Sequence, residues 1–390
     1  MADRERAPLG RGPRRPCGHG APLAIAATGP VLVSGYYGFG NLGDEAVLAG
    51  LIAGLRAAGV DLRLVVLSAD PAETAILHGV EAHPRSPRAV WQALAGARLL
   101  ISGGGSLVQD VTSARSALYY IGTMLAASMR RVPFAVVGQG VGPIHRPWVR
   151  GLAAKAFNRA QAISVRDAAS ARALRAMGVV RSVDVGADLA SLLIPSPPQR
   201  AEDLLTQSGL DGSAPLLGVA VRPWKGLAEV STMGRAVRRF AGAHGAQVAV
   251  FPFDRTRDLE ISHAVAAASA GRVVQAATPQ DLLGLVGAMD LMLCVRLHAL
   301  IFATLQAVPA VALAYDPKVT AFASGMGLPG PLPADASEQA LEEALTAAWR
   351  ARAVARARLR SAVPALRQAA ASGIGSVVRL LAGVPTQGTE

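Results

Sequence analysis

Short apolar runs alternate with amphipathic stretches of helical length along most of the chain, starting near residue 30. The runs at 31–35, 98–102 and 290–294 are too short for buried helices and are typical of strands buried on both faces. Between such runs, apolar residues recur at helical spacing, as they do from 113 to 130. Strands joined by crossover helices form parallel sheets, so the pattern predicts an α/β protein.

The alternation is interrupted once, by a stretch rich in proline and serine, and then restarts at residue 216. Such a stretch is typical of a linker between domains. We therefore expect two Rossmann-like doubly wound domains facing each other across a cleft, with a last helix at 338–360. The predicted boundaries are 1–28 for a disordered basic leader, 29–192 for the N-terminal domain, 193–214 for the linker, 215–345 for the C-terminal domain and 346–390 for a terminal helix and tail.

Composition narrows the classes of function. The chain has 390 residues, of which 51% are hydrophobic and 17% charged, which excludes wholesale disorder. Its formal charge of +12 is clustered in the leader and in a late arginine-rich stretch, without interleaved aromatic residues, so we expect no nucleic-acid partner. No uninterrupted apolar stretch is long enough to cross a membrane. Cys17 and Cys294 are too few for a disulfide framework or a cysteine metal cluster, and a reducing, cytoplasmic location fits best.

Ligands of open parallel sheets bind beyond the carboxyl ends of the strands, and a glycine-rich segment follows the first predicted strand. Gly38, Gly40 and Gly43 match the pattern G-x-G-x-x-G, which allows a ligand to approach the backbone closely. However, Asp44 and Glu45 at the following helix start would repel a pyrophosphate. The segment is interpreted as a substrate-facing loop, with dinucleotide binding and a purely structural turn as alternatives.

Two further glycine-rich turns are predicted after later strands. The segment 102–110 combines glycines with hydroxyl, amide and carboxylate side chains, which suit recognition of sugar hydroxyls, although a plain tight turn would also contain them. The segment 138–143 is also rich in glycine and is predicted to form the second of these turns. Arg115, Tyr119 and Tyr120 follow the first of these turns and are candidates for the border of an acceptor groove, or equally for ordinary helix residues.

Cationic residues follow strands in both halves. Arg166 comes directly after the predicted strand 161–165, where an arginine can bind a carboxylate or phosphate, or can simply pair with its neighbour at the protein surface. In the second half, Arg296 and His298 follow one strand and Lys318 follows the next, so parallel strands bring them to one edge. A histidine at a helix start is often structural, but beside two cations it is a candidate for proton transfer. The cationic surroundings oppose a metal at this place.

Taken together, these segments resemble the polysaccharide pyruvyl transferase family, specifically bacterial members that modify secondary cell-wall polymers such as those that anchor S-layers. The resemblance covers about residues 30 to 320. The segments that carry it are 34–45, 103–110, 138–143, 165–167, 296–299 and 315–319.

The resemblance implies a GT-B-like fold and transfer of pyruvate from phosphoenolpyruvate to a sugar, typically N-acetylmannosamine, as a 4,6-linked ketal. It also implies that Arg166, His298 and Lys318 contact the donor. We expect phosphoenolpyruvate as donor substrate, no cofactor, a lipid-linked saccharide acceptor, and peripheral contact of the arginine-rich helix with the inner membrane face. The other expected site residues are Arg296, Gly138, Gln139 and Gly140 on the donor side, and Gly40, Asn41, Asp44, Glu45, Gly104, Gly105, Gln109 and Asp110 on the acceptor side or its loops.

Three other functions share parts of this pattern. A sugar-nucleotide glycosyltransferase would use the same two-domain cleft for a different donor. A non-catalytic binding protein would keep the fold without turnover, and a dehydrogenase would use the first glycine-rich segment for a nicotinamide cofactor.

Overall fold

A computed structural model of the chain describes residues 28–59, 62–111 and 114–383. The predicted disordered leader therefore lies outside the described residues except for its last position, as does Cys17. Within the described part of the chain, no helix is both long and apolar enough to cross a lipid bilayer.

The first half forms one parallel sheet with helices on both faces. Its strands are β1 (Val31–Ser34), β2 (Leu64–Ser68), β3 (Glu81–Pro84), β4 (Leu99–Ser102), β5 (Gly105–Val108), β6 (Phe134–Val141), β7 (Ala162–Val165) and β8 (Asp184–Val185). Its helices are α1 (Leu42–Ala57), α2 (Pro71–His78), α3 (Pro87–Leu94), α4 (Ala114–Met129), α5 (Pro147–Phe157) and α6 (Ala168–Ala176). The strand order is β3-β2-β1-β4-β6-β7-β8, with β5 paired to β6. The order reverses at β1, which places the ligand-binding edge beside the loop after β1.

A 3-10 turn (Leu189–Leu192) and helix α7 (Pro198–Gln207) connect the two halves. The second half has the strands β9 (Leu216–Ala220), β10 (Gln247–Val250), β11 (Arg272–Val273), β12 (Leu291–Cys294), β13 (Ala310–Ala314) and β14 (Leu332–Pro333). Its helices are α8 (Val230–His244), α9 (Leu259–Ser269), α10 (Pro279–Gly287), α11 (Leu297–Leu305), α12 (Pro317–Gly325), α13 (Glu338–Arg350) and α14 (Arg352–Leu381). The sheet order is β11-β10-β9-β12-β13-β14, again parallel throughout the described pairings.

The predicted α/β class and two parallel sheets are confirmed, and three local predictions need correction. The terminal helix predicted at 338–360 is two helices, α13 and α14, which meet at Ala351. The glycine turn predicted at 138–143 is wrong for its first part, because residues 138–141 continue strand β6. Gly138 adopts a positive φ of 62° where the β6–β7 register shifts, so the glycine makes a bulge inside a strand and not a turn after it. The turn predicted at 102–110 likewise contains a strand, β5.

Helix α14 crosses from the second half and packs against β6, β7 and α1 of the first. Close approach depends on two glycines. A Cβ atom at Gly373 would lie 2.9 Å from the Ser164 Oγ, and one at Gly186 would lie 2.8 Å from the Ala369 carbonyl oxygen. The C-terminal helix is therefore part of the N-terminal domain's core.

A second contact between the halves is made by backbone atoms, and we call residues 40–42 with 253–255 the interdomain ladder. The Leu42 N–H donates to the Phe253 carbonyl at 2.8 Å, and the Arg255 N–H donates to the Gly40 carbonyl at 3.0 Å. Between them, Asn41 and Asp254 form an antiparallel bridge. The ladder fixes the loop after β1 against the loop after β10, at one end of the cleft.

Candidate functional site

The carboxyl ends of both sheets face a cavity of about 420 Å³, within the range of small-molecule sites. The first domain contributes the ends of β1, β5 and β7, and the second contributes the starts of α11 and α12. Seven of the residues predicted from the sequence lie on its wall: Asn41, Asp44, Gln109, Arg166, Arg296, His298 and Lys318. The strand-end argument therefore predicted which residues of the two domains come together.

His298 is the second residue of α11 and faces the start of α1. A Cβ atom at Gly43 would lie only 2.3 Å from the His298 Nδ1, so the absence of a side chain at that position makes room for the imidazole. On its other edge, the His298 Nε2 lies 3.8 Å from an Asp188 carboxylate oxygen, beyond hydrogen-bond distance. The buried Nε2 has no hydrogen-bond partner among the described residues. Gly43 and Asp188 thus flank the imidazole, and its Nε2 is available for a hydrogen bond to a substrate.

The electrostatic surroundings of His298 keep the ring neutral. Burial lowers the pKa of His298 to about 4, and the cations Arg166 and Lys318 act in the same direction, although Asp188 opposes them. At neutral pH the imidazole of His298 is therefore uncharged and can accept a proton.

Arg166 is buried at the end of β7 and is held by three partners. Its guanidinium donates to the Ser106 hydroxyl at 2.9 Å, to Asp188 at 3.2 Å and to Asp167 at 3.3 Å. Gly140 makes room for it, since a Cβ atom there would lie 2.8 Å from the Arg166 Cζ. The guanidinium is therefore fixed in orientation, which suits recognition of a planar carboxylate or of phosphate.

Two further predicted cations flank the helix starts of the second domain. The Arg296 guanidinium donates to the fully buried Asp258, and its Nε has no partner among the described residues. The Lys318 ammonium lies 3.1 Å from Asp316, the residue that caps α12. Both side chains line the cavity.

The wall of the cavity is strongly cationic. Its positively charged side chains are Arg166, Arg222, Arg257, Arg296 and Lys318. Among the described residues, Asp44 is the one carboxylate on this wall. Such a surface favours a ligand that carries more than one negative charge.

Three helix N-termini add to this potential, and they differ in their caps. Asn41 caps α1 by accepting from the Gly43 N–H at 3.1 Å, and Asp316 caps α12 by accepting from the Lys318 N–H at 3.1 Å. The cap position of α11 is Arg296, which makes no side-chain cap hydrogen bond. Because the first N–H groups of a helix need an acceptor and carry a partial positive charge, the start of α11 favours an anionic group.

The three acidic candidates have different places. Asp44 lines the cavity, and burial together with the neighbouring Glu45 raises the pKa of Asp44 to about 7. Glu45 is turned away, accepting from the Gly38 N–H at 2.8 Å and bonding to His78 at 2.8 Å. Asp110 accepts from two backbone N–H groups, those of His145 and Arg146, both at 2.8 Å.

Asp110 is fully buried in its side chain. Although burial opposes ionisation of this group, its two backbone hydrogen bonds outweigh the effect and lower its pKa. Asp110 therefore fixes the loop before α5, whereas Asp44 remains a carboxyl group that can exchange a proton near neutral pH.

The remaining glycine and glutamine candidates lie behind the wall. Gly40 belongs to the interdomain ladder, and Gly105 lies behind Asp44, where a Cβ atom would come within 3.2 Å of that carboxylate. Gly104 contacts Gly138 across the sheet. Gln139 is fully buried within β6 and is outside the cavity lining. Of the predicted groove residues, Tyr120 reaches the cavity wall.

Three residues of the site were not selected from the sequence: Asp188, Arg257 and Asp258. Asp188 holds Arg166 and faces His298, and it follows β8 as Arg166 follows β7, so the strand-end rule would have found it. Arg257 and Asp258 belong to the loop after β10.

The chain is similar to known proteins in sequence pattern and in fold. A family model described as polysaccharide pyruvyl transferase matches residues 41–317. No curated protein matches the chain significantly in sequence.

Among solved structures, the UDP-GlcNAc 2-epimerase of Neisseria meningitidis bound to UDP-GlcNAc aligns with a TM-score of 0.58 and 11% identity, over 91% of this chain and 100% of the other. The S. aureus MnaA–UDP structure aligns with a TM-score of 0.65 and 12% identity, over 93% and 99%. A glycosyltransferase of Rickettsia africae aligns with a TM-score of 0.56 and 10% identity, over 91% and 96%. At these identities the likeness shows the fold alone, which is the predicted GT-B arrangement.

Proposed function

The chain belongs to the polysaccharide pyruvyl transferase family, and we propose that it transfers pyruvate from phosphoenolpyruvate to a cell-wall sugar as a 4,6-ketal, releasing phosphate. The observation that carries the proposal is the cationic cavity, into which the two domains bring Arg166, His298 and Lys318. Phosphoenolpyruvate has a phosphate and a carboxylate joined to one small carbon skeleton. A cavity with several fixed cations and one neutral histidine matches that charge pattern.

We place one anionic group of the donor at the start of α11, where the backbone N–H groups lack a side-chain cap. The other group then lies against Arg166, whose guanidinium is oriented by Ser106 and Asp188. Lys318 lies on the same wall and offsets the charge on the departing phosphate. In this arrangement the donor touches both domains.

Donor binding changes the proton affinity of His298. In the empty site, burial and cations lower its pKa to about 4. A bound phosphate and carboxylate neutralise those cations, so His298 takes up a proton when phosphoenolpyruvate binds. The imidazolium then gives this proton to the methylene carbon of the donor, which becomes the methyl group of the ketal.

Asp44 serves as the acceptor-side base, since it alone of the three acidic candidates reaches the cavity. It removes the proton from a sugar hydroxyl as that oxygen bonds to the central donor carbon. A second hydroxyl of the same sugar then attacks that carbon and gives its proton to the now neutral His298. The bond to phosphate breaks, and phosphate leaves with the bonding electrons and takes the proton held by Asp44. The sum is one pyruvyl ketal and one phosphate, with no oxidation or reduction.

The acceptor we propose is N-acetylmannosamine in a lipid-linked saccharide, reached from the cytoplasm at the inner membrane face. The arginine-rich end of the chain supports a membrane contact only in part. Arg356 lies near Asp290 and Arg367 donates to the Leu193 carbonyl, so these two stabilise the fold. Arg350 and Arg360 are exposed and available to anionic lipid.

The test is acceptor-dependent release of phosphate. The purified protein is incubated with an N-acetylmannosamine saccharide and either phosphoenolpyruvate or a nucleotide sugar, and products are identified by mass. We expect phosphate and a pyruvylated saccharide with phosphoenolpyruvate, and loss of both in His298→Ala and Lys318→Ala. Lys155→Ala on α5, outside the cavity, is the matched control. Turnover with the nucleotide sugar alone would instead assign a glycosyltransferase.

A second measurement isolates the role of His298. Phosphoenolpyruvate binding is followed by calorimetry in buffers of different ionisation enthalpy at pH 7, which reports proton uptake. We expect uptake in the wild type and none in His298→Gln. Binding without uptake in the wild type would remove His298 as the proton donor to the methylene carbon.

A further inference from the structure

A second space opens directly from the reaction cavity. This groove has a volume of about 490 Å³ and shares with the cavity Ser106, Gln109, Arg166, Arg222, Tyr315 and Lys318. Its far part runs between the loop after β6 and the loop after β9. Because the shared residues include the catalytic candidates, a molecule that reacts in the cavity can extend into the groove without crossing a barrier of protein.

The groove differs from the cavity in chemistry. Away from the shared residues its wall includes the small apolar side chains of Ala169, Ala173 and Ala321 and the ring of Trp224, with the charged groups of Asp167, Arg172 and Asp316 beside them. A neutral ring with one apolar face and hydroxyl groups at its edge, such as a sugar, matches both the apolar wall and the polar residues at its entrance.

The aromatic ring in the groove is held in place before any ligand arrives. Trp224 meets Tyr315 edge to face, with ring centroids 4.9 Å apart. The Arg222 guanidinium lies 5.0 Å from the centroid of each ring and donates to the Tyr315 hydroxyl at 3.2 Å. A fixed ring offers stacking area without the entropic cost of ordering a mobile side chain.

The same residues connect the groove to the chemistry. The Lys318 ammonium lies 5.7 Å from the Tyr315 ring centroid. Passing from Lys318 over Tyr315 to Trp224, a ligand leaves the charged part of the site and reaches the aromatic part. A saccharide whose reacting sugar lies beside the donor would contact these three residues in this order.

From this geometry we propose that the groove is a saccharide subsite in which Trp224 stacks on the sugar next to the one that receives pyruvate. The inference rests on the proposed function and adds to it a specificity residue: Trp224 binds the neighbouring sugar of the acceptor. Trp224 acts by binding and touches no reacting atom, so its loss weakens acceptor binding and leaves the chemical step intact.

The kinetic test compares two acceptors, N-acetylmannosamine alone and a disaccharide with N-acetylmannosamine at its reacting end. We expect Trp224→Ala to raise KM for the disaccharide about tenfold, the effect of losing one aromatic stacking contact. Its kcat, its KM for phosphoenolpyruvate and its KM for the monosaccharide should stay near those of the wild type, and Trp224→Phe should recover most of the affinity. Trp148→Ala, an exposed tryptophan outside the groove, is the control. Equal KM changes for the two acceptors would overturn the proposal.

A binding test separates this proposal from the proposed reaction. Tryptophan fluorescence is titrated with the disaccharide and, separately, with uridine diphosphate, in the wild type and in Trp224→Phe. Quenching by the disaccharide that Trp224→Phe abolishes supports the subsite even in a preparation without pyruvyl transfer. Quenching by uridine diphosphate alone would overturn it, because the ring would then serve a nucleotide.

Discussion

Gly43 faces His298 across the domain boundary, so one added methyl group there tests how closely catalysis depends on the position of the imidazole. In Gly43→Ala the new Cβ would lie 2.3 Å from Nδ1 and 2.7 Å from Cγ of His298, whereas ordinary contact begins near 3.4 Å. The ring must therefore withdraw by about 1 Å. A displacement of about 1 Å at a reacting group can cost about 100-fold in rate, so we expect kcat to fall about 100-fold.

The fold should survive the same change. Alanine is favoured over glycine within a helix by about 0.5–1 kcal/mol, and crowding costs about 1–3 kcal/mol, so the net loss of unfolding free energy is about 2 kcal/mol or less. The assay is phosphate release at saturating donor and acceptor, together with the thermal midpoint Tm. Gly122→Ala is the matched control, because a Cβ at this helical glycine of α4 meets nothing within 4 Å. We expect its kcat to be unchanged.

If folded Gly43→Ala protein keeps a kcat within about twofold of the wild type, the predicted fall in rate is contradicted. That result would mean that the imidazole can move by the distance that the methyl group requires without consequence for the rate. His298 would then have no positional role in proton transfer.

Three other changes address the acidic and cationic groups. Since a base acts in its ionised form, kcat should rise with pH up to about 7, the raised pKa of Asp44. Over the same range the unfolding free energy should fall as the pH rises from 3.8 to about 7, because the folded protein keeps a proton on Asp44 that the unfolded chain has released. Asp44→Asn should abolish turnover and remove its share of that fall in stability. Arg166→Lys, which loses the fork between Ser106 and Asp188, should lower kcat/KM for phosphoenolpyruvate about 10- to 100-fold. Glu45→Ala leaves its buried partner unpaired and should lower the unfolding free energy by about 1–3 kcal/mol, measured in urea.

Each of these outcomes has a clear opposite. A flat rate profile between pH 5 and 8 would exclude Asp44 as the base, since the raised pKa of Asp44, about 7, lies within that window. Full activity of Arg166→Lys would show that the donor needs only a positive charge at this position. An unaltered urea midpoint in Glu45→Ala would contradict the structural role assigned to that carboxylate.

Sequence reasoning succeeded where the parallel sheet itself decides the outcome. Arg166, His298 and Lys318 are far apart in the chain, yet each follows a strand, and parallel strands deliver their carboxyl ends to one edge. The contact between α11 and α1 was not predicted, because it depends on how the two domains meet at Gly43. The edge strand β3 was missed because its residues Glu81–Pro84 are largely polar and half-exposed.

Asp44 and Glu45 show a second limit. Both were grouped as acceptor-side or loop residues, and neighbouring positions on a helix point about 100° apart, so only the rotation of α1 decides which one reaches the cavity. In β6, a glycine-rich sequence was interpreted as a turn, but Gly138 supplies a bulge and Gly140 supplies space for Arg166. In both cases the glycine indicates that another group packs closely against the backbone, but the sequence does not indicate which group.

The interdomain ladder at residues 40–42 and 253–255 restricts how the cleft between the domains can open and close. Any movement of the two domains that preserves its two backbone hydrogen bonds must be a hinge rotation about that short segment. The glycines beside it supply the freedom for such rotation, since Gly38 and Gly40 both have positive φ angles near 75°. Parts of the cleft far from the ladder then travel furthest, while the segment preceding Asp44 keeps its alignment with the loop after β10.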